Sequence, residues 1–123
     1  MKLKVHHQLL AMGLSPNELK VYCYLMSCAT DGIAIVRAGR IAERCQISRA
    51  TVQTACTSMA AKGVLSKVNR YADGHLVANA YHLSTFTGRF FMLDADAAVF
   101  GLSGSVFTTY LASVSYTHLT LPT

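Results

Sequence analysis

Three stretches between Pro16 and Gly63 carry apolar residues at helical spacing. In the first, Leu19, Tyr22, Cys23 and Met26 fall at i, i+3, i+4 and i+7, which predicts an amphipathic helix with one apolar stripe. Ser15-Pro16-Asn17-Glu18 supplies its start, with a capping serine, a proline at the first helical position and a glutamate that closes a capping box. Thr30-Asp31-Gly32 ends it, and the short β-branched run Ile33–Val36 predicts a small strand. A second helix is expected from about Arg37 to Cys45, with Ile41, Ala42 and Cys45 inward. Ser48 caps a third, from Arg49 to Lys62, whose inner face is Val52, Ala55, Cys56 and Met59. Gly63 closes it where a left-handed residue is wanted. Val64–Tyr71 and Leu76–Leu83 then read as strands joined through Asp73-Gly74, a strong hairpin signal.

The order is helix, short strand, helix, turn, helix, hairpin. It implies a mainly α fold with a small β-hairpin, α+β in class. The outward face of the third helix is unusual. It shows Arg49, Ala50, Gln53, Thr54 and Thr57 in place of the Glu–Lys pairs of an ordinary solvated face.

Charge strengthens the point. The chain of 123 residues has a formal net charge of +5. Between Arg37 and Arg70 it carries Arg37, Arg40, Arg44, Arg49, Lys62, Lys67 and Arg70 against Glu43 alone, so the excess is concentrated in one segment. A local excess of that kind points to a polyanionic partner. Apolar content of 52% and charged content of 14% fit a globular chain rather than a disordered one. No apolar run approaches the roughly 18 residues that cross a bilayer. The basic start "MKLKVHHQLLAMGLS" is broken by His6, His7 and Gln8, which excludes a signal peptide. Cys23, Cys28, Cys45 and Cys56 form no C-x-x-C pair and sit at apolar helical phases. They are expected to be buried reduced thiols of a cytoplasmic protein, with no metal and no cofactor.

The segments "RIAERCQISRATVQTACTSMAAKGVL" and "NAYHL" carry a resemblance to the winged helix-turn-helix domain of bacterial DNA-binding proteins, covering about Leu14 to Leu83. Within it the chain is most similar to the N-terminal domains of phage and plasmid replication initiators. Gluconate-repressor-type transcription factors share a similar "SRATV" stretch. The resemblance implies a three-helix core plus wing, with the third helix entering the major groove of double-stranded DNA. A groove about 12 Å wide excludes long acidic side chains and favours small ones.

The contacts it implies are Ser48, Arg49, Ala50, Thr51, Gln53, Thr54 and Thr57 on the recognition helix. Arg40 and Arg44 on the preceding helix, and Lys67, Arg70 and His75 on the wing, complete the set. Arg49 suits guanine or phosphate, and Gln53 suits adenine. The plainer alternatives are a solvated face for Arg40 and Arg44, and a cap alone for Ser48. Tyr71 and Tyr81 are expected to pack across the hairpin. The second helix lacks a capping Ser or Thr, so Arg37 is left outside the contact set. No nucleophile–base pair or paired carboxylates can be assembled, so no enzymatic activity is expected. The expected partner is double-stranded DNA, with homodimerisation open and no membrane or small-molecule substrate. A transcriptional regulator is the alternative role, and a protein-interaction winged helix a third.

Beyond the wing, two further features stand out. Shifted by 88 residues, Leu3–Cys23 lies over Phe91–Leu111, with Gly13, Leu14, Ser15 and Tyr22 meeting Gly101, Leu102, Ser103 and Tyr110. Residues 1–85 therefore read as one winged helix, and 86–113 as a linker and the start of a second. The apolar face of that second unit must fold onto the first, meet another chain, or aggregate. Residues 114–123, "VSYTHLTLPT", carry no charge and back-translate into a string that resembles a transposase sequencing adapter. They are expected to be a non-native tail, with the natural gene continuing past Ser113.

Overall fold

A computed structural model of the chain describes residues 2–120, and the side chains of all of these except 72, 76, 77, 97 and 115–120. The elements run β1 (Lys2–His6), α1 (His7–Leu10), α2 (Pro16–Cys28), β2 (Ile33–Val36), α3 (Ala38–Cys45), α4 (Arg49–Ala61), β3 (Leu65–Ala72), β4 (His75–Leu83), β5 (Phe90–Asp94), α5 (Ala97–Phe100) and α6 (Gly104–Thr120). The fold is the α+β winged helix expected. Helices α2, α3 and α4 pack on one another, and β3–β4 form the wing, with β2 added as a third strand in the order β2-β4-β3.

The local signals act as the sequence implies. Ser15 Oγ accepts from the Glu18 amide at 3.2 Å, and Glu18 Oε2 accepts from the Ser15 amide at 3.0 Å. Ser48 Oγ accepts from the Thr51 amide at 3.1 Å. Gln46 takes the left-handed conformation, φ 55°, and turns α3 into α4 within three residues. Gly63 does the same after α4, φ 75°.

Three expectations are corrected. Helix α2 has no single apolar stripe: every residue from Glu18 to Leu25 is buried. The reason is that α3, α4 and β2 cover part of it while α6 and β1 cover the rest. Cys28 is exposed, one turn beyond that covering, whereas Cys23, Cys45 and Cys56 are buried. Burial pushes those three thiols up to about 12, 12 and 11, so they stay protonated. Tyr81 does face the core, but Tyr71 is 64% exposed.

The N-terminal segment forms a strand, and its partner lies at the far end of the chain. β1 pairs antiparallel with β5, in the register Lys2↔Asp94, Leu3↔Leu93, Lys4↔Met92, Val5↔Phe91 and His6↔Phe90. The 88-residue offset converts Lys4 into Met92, Leu3 into Phe91 and Val5 into Leu93. The register is therefore that of a local two-fold axis passing between Lys4 and Met92. Strand, short helix, long helix occur in the same order on both sides, and α2 packs on α6. Ser103 repeats the capping role of Ser15: its Oγ accepts from the Val106 amide at 3.4 Å and its carbonyl from Phe107 at 2.8 Å.

The second unit folds onto the first. Phe91, Leu93, Phe100, Phe107 and Leu111 join one core with Leu3, Leu19, Tyr22 and Cys23, while Phe90 stays 47% exposed. Residues 114–120, expected to lie outside the fold, continue α6, and Val114 packs partly on the core. Residues 121–123 of that tail lie outside the described residues.

Two buried ionisable groups tie these layers together. Lys20, 2% exposed, donates from Nζ to the Leu102 carbonyl at 2.7 Å, and burial lowers its pKa. Glu18, 6% exposed, accepts from Lys62 Nζ at 3.0 Å, and Lys62 also donates to the Gly13 carbonyl at 3.0 Å. Burial raises the Glu18 pKa, but hydrogen bonds from Ser58, Lys62 and the Ser15 amide, with the Lys62 charge, bring it below the ordinary 4.5. A depressed carboxylate contributes stability above its unfolded pKa and loses it as pH falls through the folded one. Melting temperature should therefore drop as pH falls below about 4.5, and Glu18→Gln should shallow that drop. An unchanged pH slope in thermal melts of the variant would remove Glu18 from this role.

Candidate nucleic-acid interface

α4 is held by one side only. Val52, Ala55, Cys56 and Met59 are buried, while Arg49, Ala50, Gln53, Thr54 and Thr57 are exposed. Thr51 is half-buried, its hydroxyl 2.8 Å from Ser48 Oγ, so it supports the cap. The free face divides in two. Ala50, Thr51 and Thr54 border a shallow depression against Ser15 and Asn17 at the start of α2. Arg49 and Gln53 border a larger groove on the other side.

That groove, about 510 Å³, runs between α4, the start of α3 and the wing. Pairing in the wing decides which side chains reach it. Leu65, Lys67 and Asn69 on β3 share a face with Leu83, Tyr81 and Asn79 on β4, and that face looks toward the core and α4. Lys67, Asn69 and Asn79 line the groove with Arg37, Arg49 and Gln53, and no carboxylate does. Asn79 is 7% exposed; its Nδ2 donates to the Tyr81 hydroxyl at 3.2 Å, and its Oδ1 has no hydrogen-bond partner. A buried acceptor left unmatched costs roughly 1–3 kcal/mol.

Arg49 leans back over α3. A methyl group placed at Gly39 would come within 2.6 Å of Arg49 Nη2 and 3.1 Å of its Nε. Gly39 sits inside a helix, where glycine is unfavourable by about 0.5–1 kcal/mol relative to alanine. Its missing side chain leaves the room that the guanidinium occupies.

The other expected contacts are not gathered here. Arg40 and Arg44 border a separate depression of about 390 Å³ with Tyr24, Ser27, Asp96 and Phe100. The Tyr24 hydroxyl is pushed up by burial and by Cys28, against the opposing pull of Arg40. Arg70 pairs across to Ala78 on the reverse face of the wing, the face that carries Ile35 and Val68. His75 lies exposed near the hairpin tip. Conversely, Arg37, Asn69 and Asn79 belong to the groove although the sequence reading omitted them. Strand alternation held the signal: once Lys67 faces α4, Asn69 must follow at i+2.

Residues 12–65, from just before α2 to the first residue of β3, match the family model of the helix-turn-helix domain. This segment is a helix-turn-helix domain. The match supports nucleic-acid binding. No curated protein and no solved structure matches the chain. Among the described residues no group of His, Cys, Asp and Glu is placed to hold a metal ion, and no helix is long and apolar enough to cross a membrane.

In the helix-turn-helix domain, Gly39→Ala separates stability from binding. It should raise stability by up to about 1 kcal/mol through helix propensity while displacing Arg49. A higher melting temperature with weaker DNA binding is the expected pair of results. A variant that melts higher and binds DNA as before would show that the Arg49 position over Gly39 does not matter.

Proposed function

We propose that the domain binds double-stranded DNA sequence-specifically, with α4 in the major groove and the wing against the adjacent backbone. The observation that carries this reading is the α4 surface: small and hydrogen-bonding side chains and Arg49 outward, no carboxylate on the helix, and Arg37 and Lys67 beside it. Arg49 and Gln53 read base edges, while Ala50, Thr54 and Thr57 allow close approach. Ser48 and the amides of the first turn of α4 hold a phosphate. Arg40, Arg44, Thr51, Lys67, Arg70 and His75 supply peripheral contacts to the backbone.

The biological setting that fits best is a phage or plasmid replication initiator of the bacterial cytoplasm, acting without catalysis. The observation favouring it over a transcriptional regulator is the repeated strand–helix–helix unit, since tandem winged helices suit repeated origin sites. Selection of bound sites from random duplexes, mapped onto the natural replicon, separates the two: iterated sites at an origin support the initiator, and a single promoter operator supports the regulator.

Duplex affinity should fall steeply with salt, because each phosphate contact releases counterions. A flat salt response would favour the protein-interaction reading. Arg49→Ala should cost roughly 1–3 kcal/mol on the preferred site and relax selectivity at one position. Equal loss on every sequence, measured by fluorescence anisotropy, would reassign Arg49 to phosphate.

A further inference from the structure

β1 is paired on one side only. β5 takes one of its edges, and among the described residues no strand takes the other. His7 donates its amide to the Arg89 carbonyl at 3.0 Å, which continues the β1–β5 register by one position. In an antiparallel ladder, hydrogen-bonded and non-hydrogen-bonded pairs alternate. Leu3 and Val5 therefore turn their N–H and C=O groups to β5, and Lys2, Lys4 and His6 turn theirs to the free edge. A groove of about 500 Å³ runs along that edge, and the β1 residues that line it are Lys2, Leu3, Lys4 and His6. Leu9, Tyr22, Met26 and Phe86 give it an apolar wall. His6 adds a ring nitrogen, Nδ1, that is buried and has no hydrogen-bond partner.

A free row of backbone donors and acceptors beside an apolar groove is what an added strand requires. Side chains of such a strand alternate between two faces. One set falls on the Leu3 side, against Leu9, Tyr22, Met26 and Phe86. The other falls on the outward side, beside Lys2, Lys4 and His6. Lys2 already has a carboxylate opposite it on β5, Asp94, at 2.9 Å. Lys4 has none among the described residues; its ammonium stands over the Phe90 ring, 4.1 Å from the centroid. Charge disfavours the simplest occupant, a second copy of β1. Fully overlapped antiparallel pairing of two copies sets Lys4 directly against Lys4, and like charges so placed are destabilising. We propose that this groove takes an extended segment of an acidic protein partner, with carboxylate and apolar side chains in alternation, as a third strand on β1. Its carboxylates lie beside Lys2 and Lys4, and its apolar side chains fill the groove. None of these residues contacts DNA in the duplex reading, so the two stand apart.

Amide hydrogen exchange, read by NMR on the full chain, tests it. The probe is a short capped peptide of alternating glutamate and leucine. Its controls are the same peptide with lysine for glutamate, the same peptide with an N-methylated backbone, and single-stranded oligothymidylate. The Lys4 amide should gain protection with the glutamate peptide, while the Val5 amide, already bonded to β5, should not change. Lys4→Glu, at an exposed position, should weaken the glutamate peptide by roughly fivefold and favour the lysine peptide instead. No gain at Lys4 with peptide up to about 1 mM overturns the proposal. Equal binding of the N-methylated peptide overturns the added strand, and equal binding of the lysine peptide overturns the acidic partner. Protection of Lys4 that rises with protein concentration alone would make a second copy the occupant. Protection by oligothymidylate in place of the peptide would make it nucleic acid. Either result sinks the proposal, and neither bears on duplex binding by α4.

Discussion

Helix α2 has no face left for solvent over Glu18–Leu25, and the rest of the molecule is arranged to cover it. A helix buried all round must satisfy every polar group it carries. Two of its buried residues are ionisable, and each is spent on a different layer. Glu18 turns to Lys62 at the end of α4, so it fixes the recognition helix relative to the start of α2. Lys20 turns to the Leu102 carbonyl, so it fixes the second strand–helix–helix unit. The two sides of the fold are joined through one helix. The groove beside α4 and the C-terminal cap are therefore mechanically connected through α2.

The C-terminal unit acts as that cap because it repeats the N-terminal one. In an antiparallel pair, a repeated strand placed at its own equivalent position generates a two-fold axis. Lys4↔Met92 is that position. Equal spacing then brings Leu3 opposite Leu93 and Val5 opposite Phe91, so all four inward side chains reach the shared core. The symmetry is one of backbone and burial more than of sequence. Only the "GLS" before each long helix and one tyrosine are identical in kind across the capping region. The outward positions have diverged into a Lys2–Asp94 ion pair and a Lys4–Phe90 cation–π contact, 4.1 Å from ammonium to ring centroid.

What the sequence revealed, and what it hid, follows the range of each interaction. Caps, the α3–α4 turn and the hairpin are decided within four or five residues: Ser15 and Ser48 cap their helices, and Gly63 and Gly74 take the left-handed positions. β1 was not legible as a strand. The alternation Lys2-Leu3-Lys4-Val5-His6 has the right period, but its partner lies at the other end of the chain and no turn signal links them. The one-sided stripe read for α2 failed for the same reason: α6 covers the second face, and nothing near α2 announces it. Cys28 and Tyr71 erred in the same way. Both have apolar character at an apolar phase, yet each lies past the point where neighbouring elements end. Asn79 shares its face with Tyr81 by strand alternation, but its unmatched amide oxygen is a property of packing that no local pattern carries.

The basic segment also sorts itself in three dimensions. Counted along the chain it runs from Arg37 to Arg70, but its charges do not act together. Lys62 is consumed by Glu18 in a partly buried pair. Arg40 and Arg44 stand beside Asp96 and the Tyr24 hydroxyl, where part of their field is offset. Arg70 faces away on the reverse of the wing. Arg49 and Lys67 line one concave surface between α4 and the wing, and no carboxylate borders it. Low-dielectric walls focus the field of cations in a groove, so they attract an anion more strongly than the same charges dispersed over a convex face. The potential that a polyanion meets is therefore set less by the net charge of the chain than by which cations the fold gathers on one surface. The strand pairing that turns Lys67 toward α4 and Arg70 away from it is what makes that choice.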